Sequence, residues 1–178
     1  MTLFTGLDAT DYQDVLRGTG RLIDGWGLRS LRLIEHGDSI VIQGRPAADP
    51  HGRFVTMVVG DDAIQGMLRE AYRQRGPARA APWRAGRPSI MHTTARVPVR
   101  FPLLAQTGYQ PVLRAIGRLM DAEQLRGFRI VEQADGLVLQ ARRHHFWLRG
   151  YETFLLPEDD VRALLRGAAP PSRAAEPA

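Results

Sequence analysis

Cysteine is absent from the 178 residues, which excludes disulfides, thiolate metal sites and cysteine nucleophiles together. Lysine is absent too, so all 24 basic residues are arginine and no phosphate loop of the Gly-Lys-Ser/Thr kind can exist. A composition rich in Arg, Ala, Gly and Pro fits a GC-rich genome, and where the arginines sit therefore says more than how many there are. No apolar run reaches the ~18 residues a membrane-spanning helix needs. The opening MTLFTGLDATD lacks the positive start and apolar stretch of a signal peptide. The expectation is a cytoplasmic chain with no membrane partner. What is present, 44% hydrophobic and 24% charged residues with three Trp and six Phe, is the composition of a folded globular protein.

Shifted by 97 positions, residues 4–70 lie over 101–167 without a gap, and 24 of the 67 aligned positions are identical. Identities at polar positions such as Gln13 with Gln110 and Glu35 with Glu132 are not what a shared amphipathic pattern alone would produce. The chain is therefore expected to be a tandem duplication, with a first repeat at 4–70, a linker at 71–100, a second repeat at 101–167 and a disordered tail at 168–178.

Each repeat reads as an α-β-β-β-α unit. Tyr12, Val15, Leu16, Thr19, Leu22 and Ile23 recur at three-and-four spacing and predict a helix from about Asp11 to Trp26, with Thr10 and Thr107 placed to cap the two copies. Strands Ser30 to Glu35 and Ser39 to Arg45 follow, joined by HGD in one copy and QADG in the other, and a third runs from Arg53 to Val59. A second helix opens at Asp61-Asp62 or at Pro157-Glu158-Asp159-Asp160, where acids suit the helix dipole. A 67-residue unit of this kind has a thin core, so the two copies should pack together. The fold class expected is α+β, with antiparallel sheets, helices on one face and a pseudo-twofold arrangement; six strands could share one sheet or form two facing ones.

Strand alternation sends Leu31, Leu33, Ile40 and Ile42, like Phe128, Ile130, Leu137 and Leu139, to the core side. The other side carries Arg32, Val41, Gln43, Arg45 and Thr56, matched by identical Arg129, Val138, Gln140, Arg142 and Thr153. Core positions drift among apolar residues, as packing tolerates, while this face keeps its identities. It is a candidate binding surface, or else a solvated face or the seam between copies. On the first helix, Arg17 and Arg21 with Asp24, matched by Arg114, Arg118 and Asp121, read as ordinary surface ion pairs.

Residues 71–100 hold seven arginines and no acid, a charge of +7 in a chain whose net charge is +5, which leaves −2 for the remainder. Arg73, Arg75, Arg79, Arg84, Arg87, Arg96 and Arg100 could lie along phosphates with Trp83 stacked on a base, or the segment could dock on the acidic helix starts. Its beginning should be extended around Trp83, and residues 90–100 alternate enough for an added edge strand.

Catalytic signals are few. No serine sits in a nucleophile elbow. His144 and His145 are neighbours on a strand and point to opposite faces, so they do not share a metal. The clustered carboxylates at 61–62 and 158–160 are accounted for as helix starts. The element order is that of double-stranded RNA-binding domains, but in those the second helix opens with basic residues, and the acids found here would repel phosphate. The expectation is a non-enzymatic binding or assembly protein with a protein partner or self-association, no cofactor and no metal. Nucleic-acid binding through the linker is the alternative.

Overall fold

The structure, a computed structural model, describes residues 11–75, 91–93, 101–143 and 150–167. The described chain is α+β. Its elements are α1 (Tyr12–Trp26), β1 (Leu28–His36), β2 (Ser39–Pro46), β3 (Phe54–Val59), α2 (Asp61–Arg75), β4 (Met91–Thr93), α3 (Pro102–Thr107), α4 (Tyr109–Ala122), β5 (Leu125–Glu132), β6 (Gly136–Arg143), β7 (Glu152–Pro157) and α5 (Glu158–Leu165). Six strands form one antiparallel sheet, and the short β4 extends it at the β3 edge, giving the order β4-β3-β2-β1-β5-β6-β7. The alternative of two facing sheets is thereby settled in favour of one. None of the described helices is long and apolar enough to cross a membrane.

The junction of the two halves is made twice, once in the sheet and once between helices. In the sheet, β1 and β5 pair antiparallel with Leu33 opposite Ile130. On top of it, α1 crosses α4 so closely that a Cβ on Gly20 would stand 2.6 Å from the Cα of Gln110, and one on Gly117 would stand 2.5 Å from the Cα of Gln13. Only glycine permits this approach of backbone to backbone. The buried stripes Tyr12, Val15, Leu16 and Ile23 of α1 and Tyr109, Val112, Leu113, Ile116 and Met120 of α4 join the inward strand residues in one continuous core.

Helix capping departs from the sequence reading. Thr107 does not cap α4: its hydroxyl donates to the carbonyl of Leu103 within the short helix α3, an element the strand-and-helix pattern did not anticipate. Thr10 lies outside the described residues. The free N–H groups at the start of α1 and of α4 are taken instead by the last-turn aspartate of the other of the two. Asp24 accepts from the backbone N of Tyr109 at 2.8 Å and of Gln110 at 2.9 Å. Asp121 accepts from Tyr12 at 3.1 Å and Gln13 at 3.0 Å. Asp24 and Asp121 are thus inter-helix caps, not members of surface pairs with Arg21 and Arg118, and Arg118 donates to the carbonyl of Leu164. The antiparallel crossing makes the exchange possible, because it brings the positive start of one helix against the negative end of the other.

Each half contains a bulge where β1 and β5 begin. Between Arg29 and Arg32, and again between Arg126 and Arg129, the register slips against the neighbouring strand. Ser30 (φ 56°) and Gly127 (φ 62°) occupy the left-handed conformation such a bulge requires. The N–H groups this leaves beside the junction are satisfied by buried carboxylates from across it: Leu31 N donates to Glu132 at 2.9 Å and Phe128 N to Glu35 at 3.2 Å. The phenol of Tyr12 donates to Glu35 and that of Tyr109 to Glu132 at 2.6 Å.

Candidate partner-binding face

The core side of the sheet is covered by the helices. The other side is uncovered among the described residues and carries the retained polar residues: Gln43, Thr56, Gln140 and Thr153 lie away from the junction of the halves, while Arg32 and Arg129 lie on β1 and β5, the strands that pair there. Register across the six main strands defines two adjacent rows on the open side. One reads Thr56, Gln43, Arg32, Val131, Val138, Leu155; the next reads Val58, Val41, Ile34, Arg129, Gln140, Thr153. Each row is half polar and half aliphatic, in opposite order. The face is therefore quartered, with a Thr-Gln-Arg trio diagonally opposite another and two aliphatic trios filling the remaining corners.

The central strands place Arg32 and Arg129 diagonally across the junction at the middle of the face, opposite Val131 and Ile34 respectively, and both are exposed. Val58 and Leu155, at the outer ends of the aliphatic trios, are 56% and 53% exposed, whereas Ile34, Val41, Val131 and Val138 are half-buried by their neighbours. No Asp or Glu occupies any position of either row. Large aliphatic side chains left in water on an otherwise well-packed fold, rimmed by polar groups, are the usual composition of a docking surface.

Other residues of the candidate set do different work. Arg45 is buried, lies 4.6 Å from the centroid of the Phe54 ring and donates to the carbonyl of Pro50, pinning the β2–β3 connection. Arg142 stacks at 4.2 Å on Tyr151. These two arginines are posts under the ends of β3 and β7 and are less open to solvent than Arg32 and Arg129, although the Arg129 guanidinium also lies 5.0 Å from the centroid of the Tyr151 ring. Gln43 and Gln140 donate to Thr56 and Thr153 at 3.4 Å, contacts long enough to yield to a better acceptor. Sequence alternation thus found the polar half of the face, but it did not place Ile34, Val58, Val131 and Leu155 beside it. Which strand adjoins β1 had to be known first.

Of the linker set, Arg73 lies exposed on α2, 3.8 Å from Glu70, and Arg75 ends that helix. Arg79, Trp83, Arg84, Arg87, Arg96 and Arg100 lie outside the described residues, as do His144, His145 and the tail. Within the range 90–100, where the sequence predicts an edge strand, β4 covers Met91–Thr93 and pairs with β3 from Phe54 to Thr56; the rest of that range lies outside the described residues.

The titratable groups with displaced protonation sit under the junction and away from the open face. Burial pushes the Glu35 carboxyl up, opposed by hydrogen bonds from Phe128 N, the Tyr12 phenol and Gly127 N and by the charge of Arg126. Burial likewise raises Tyr12 and Tyr109, helped by the negative charges of Glu35 and Glu132. Asp121 is raised to about 6 by burial, the two backbone N–H groups it caps and Arg126 pulling the other way and Asp11 adding to the rise. These carboxylates are occupied as strand and helix caps. On the helical side, a hollow of about 230 Å³ is lined by Arg17, Gln110, Pro111, Arg114, Arg118 and Leu165; within it Arg17 donates to Gln74 and Arg118 to Leu164. Among the described residues no three His, Asp or Glu side chains gather as a metal-ligand set.

No protein-family profile, curated protein or solved structure matches the chain.

Proposed function

We propose that the chain is a non-enzymatic binding or assembly module, a duplicated α-β-β-β-α unit with its halves in a pseudo-twofold arrangement, that docks a protein partner on the open face of its sheet. The observation that carries this reading is the quartered face itself. Six aliphatic side chains lie among exposed arginines with no carboxylate on the face, and the two most exposed of them, Val58 and Leu155, stand at positions 97 residues apart. Burying such a surface gains roughly 25 cal/mol per Å² of apolar area. The reciprocal Asp24 and Asp121 caps, the Glu35 and Glu132 contacts and the Gly20 and Gly117 crossings recur at the same spacing, and they support the duplication and its twofold relation.

The test is capture by the full chain from soluble extract of its native host, with Val58→Asp and Leu155→Asp as surface variants. A partner retained by the native chain and lost with either variant, at unchanged folding, is the expected outcome. Retention by both variants sinks the open face as the docking site.

The arginines of residues 71–100 support a second reading, nucleic-acid binding along that segment with Trp83 stacked on a base. Fluorescence anisotropy on oligonucleotides should then show affinity falling steeply with salt, and replacing Arg79, Arg84 and Arg87 by Gln should flatten that dependence. The two readings use different residues and are separable by these variants.

A further inference from the structure

We infer that the partner on the open face is itself twofold: an acidic homodimeric protein whose dyad falls on the β1–β5 junction, so that one chain takes up one dimer. This rests on the docking reading above and on the proposed duplication, and adds to them the symmetry and charge of the occupant.

The first argument is the likeness of the two half-faces, which are identical at four of six positions and aliphatic in both halves at the other two, Ile34 with Val131 and Val58 with Leu155. Between the halves several strand residues of the core have changed, Leu31 to Phe128, Leu33 to Ile130, Ile42 to Leu139 and Met57 to Phe154, while Tyr12, Val15, Leu16 and Leu28 recur unchanged; on the open side Arg32, Val41, Gln43 and Thr56 meet identical residues in the other half. Arg32 is exposed and Val41 and Gln43 are half-buried, positions at which folding makes weak demands, while Thr56 is buried. Gln–Thr contacts of 3.4 Å constrain them weakly. An asymmetric partner would touch the two halves differently and leave each free to drift in its own direction. Two half-faces that remain alike in their pattern of arginine, amide, hydroxyl and aliphatic side chains are accounted for by two contacts that are alike, and a closed pair of equivalent contacts is what a homodimer supplies.

The second argument is charge. Arg32 and Arg129 stand on neighbouring strands at the centre, and no acid lies in either row, so the occupant must bring the carboxylates. A second copy of this chain would set four guanidinium groups together. Segments of the chain outside the described residues hold only Asp8 and Glu176 as acids against seven arginines. A nucleic acid would meet aliphatic side chains over half the face, and the rings near it, Phe54 and Tyr151, are stacked under Arg45 and Arg142. An acidic protein surface with its own apolar patches fits both the charge and the aliphatic trios.

The experiment places a benzophenone-bearing amino acid in the full chain at position 58 or at position 155, one at a time, and irradiates each in soluble extract of the native host. Adducts are mapped by mass spectrometry, and the intact complex is weighed by native mass spectrometry. The expected result is the same peptide of the same acidic protein from both positions, and one chain with two partner polypeptides in the complex. Arg32→Glu and Arg129→Glu should each lower the adduct yield about tenfold or more, and equally. Different partner peptides from the two positions, a one-to-one complex, or losses that differ more than about threefold overturn the twofold inference and leave the docking face standing. A nuclease-sensitive adduct, or an adduct between two copies of the chain, replaces the occupant and also overturns it. No adduct from either position defeats the docking reading itself.

Discussion

Among the described residues two positions adopt the left-handed backbone without glycine, and each has a glycine 97 residues away. Gln124 (φ 53°) follows α4 where Gly27 (φ 62°) follows α1, and Ser30 (φ 56°) opens the bulge that Gly127 opens in the second half. A side chain there costs about 1–2 kcal/mol in crowding, which glycine avoids at some loss of unfolded-state entropy. Gln124→Gly should therefore raise stability by about 0.5–1 kcal/mol, read as a higher urea midpoint at unchanged slope. Asp121 gives a prediction in pH. Its folded-state pKa, about 6, lies above the ordinary 3.8, so the folded protein binds this proton more tightly than the unfolded chain does. The contribution to stability is present below pH 4 and is lost as pH rises through about 6. Urea titrations between pH 4 and 7 should show that fall. In Asp121→Asn the slope from this site should vanish, while a loss of about 1 kcal/mol from the weakened cap of α1 persists at every pH.

At the scale of elements, the α1–α4 crossing is the most demanding contact. Because the atoms opposing Gly20 and Gly117 are backbone, an added methyl cannot be absorbed by a rotamer change and must part the helices. Gly20→Ala and Gly117→Ala should each destabilise by about 2 kcal/mol, in spite of alanine's better helix propensity, and chemical denaturation would measure it. The helices and strands themselves were legible: the three-and-four stripe located α1, and the alternation located β1, β2 and β3 to within about two residues, as pattern reading commonly does. The bulges were not read, although Gly127 inside an alternating run was the signal for one. Thr107 was misjudged as a cap for a physical reason. Local sequence makes it the nearest acceptor, but a better-placed carboxylate arrives from a helix that begins or ends roughly a hundred residues away.

For the whole molecule, a single core spans both halves, so neither half buries its own apolar stripe. A chain of residues 101–167 alone should show no cooperative thermal transition, whereas the full chain should unfold in one step followed identically by far-UV circular dichroism and by tryptophan fluorescence. The open face obeys the opposite rule. Val58→Asp and Leu155→Asp remove apolar area that is already in water, and each should change stability by less than about 0.5 kcal/mol while it removes partner capture.

Periodicity within a segment was enough to read the main helices and strands, without the short α3, and which side of each strand is apolar; comparison of the chain with itself gave the 97-residue correspondence of its halves. Three features came from folding in space: β1 meets β5 in one sheet, Asp24 and Asp121 cap each other's helices, and two polar trios and two aliphatic trios quarter one open face. Those features arise from register between strands and helices distant in the chain, and no local pattern encodes that register. The retained arginines were visible in the sequence; what lies beside them was not.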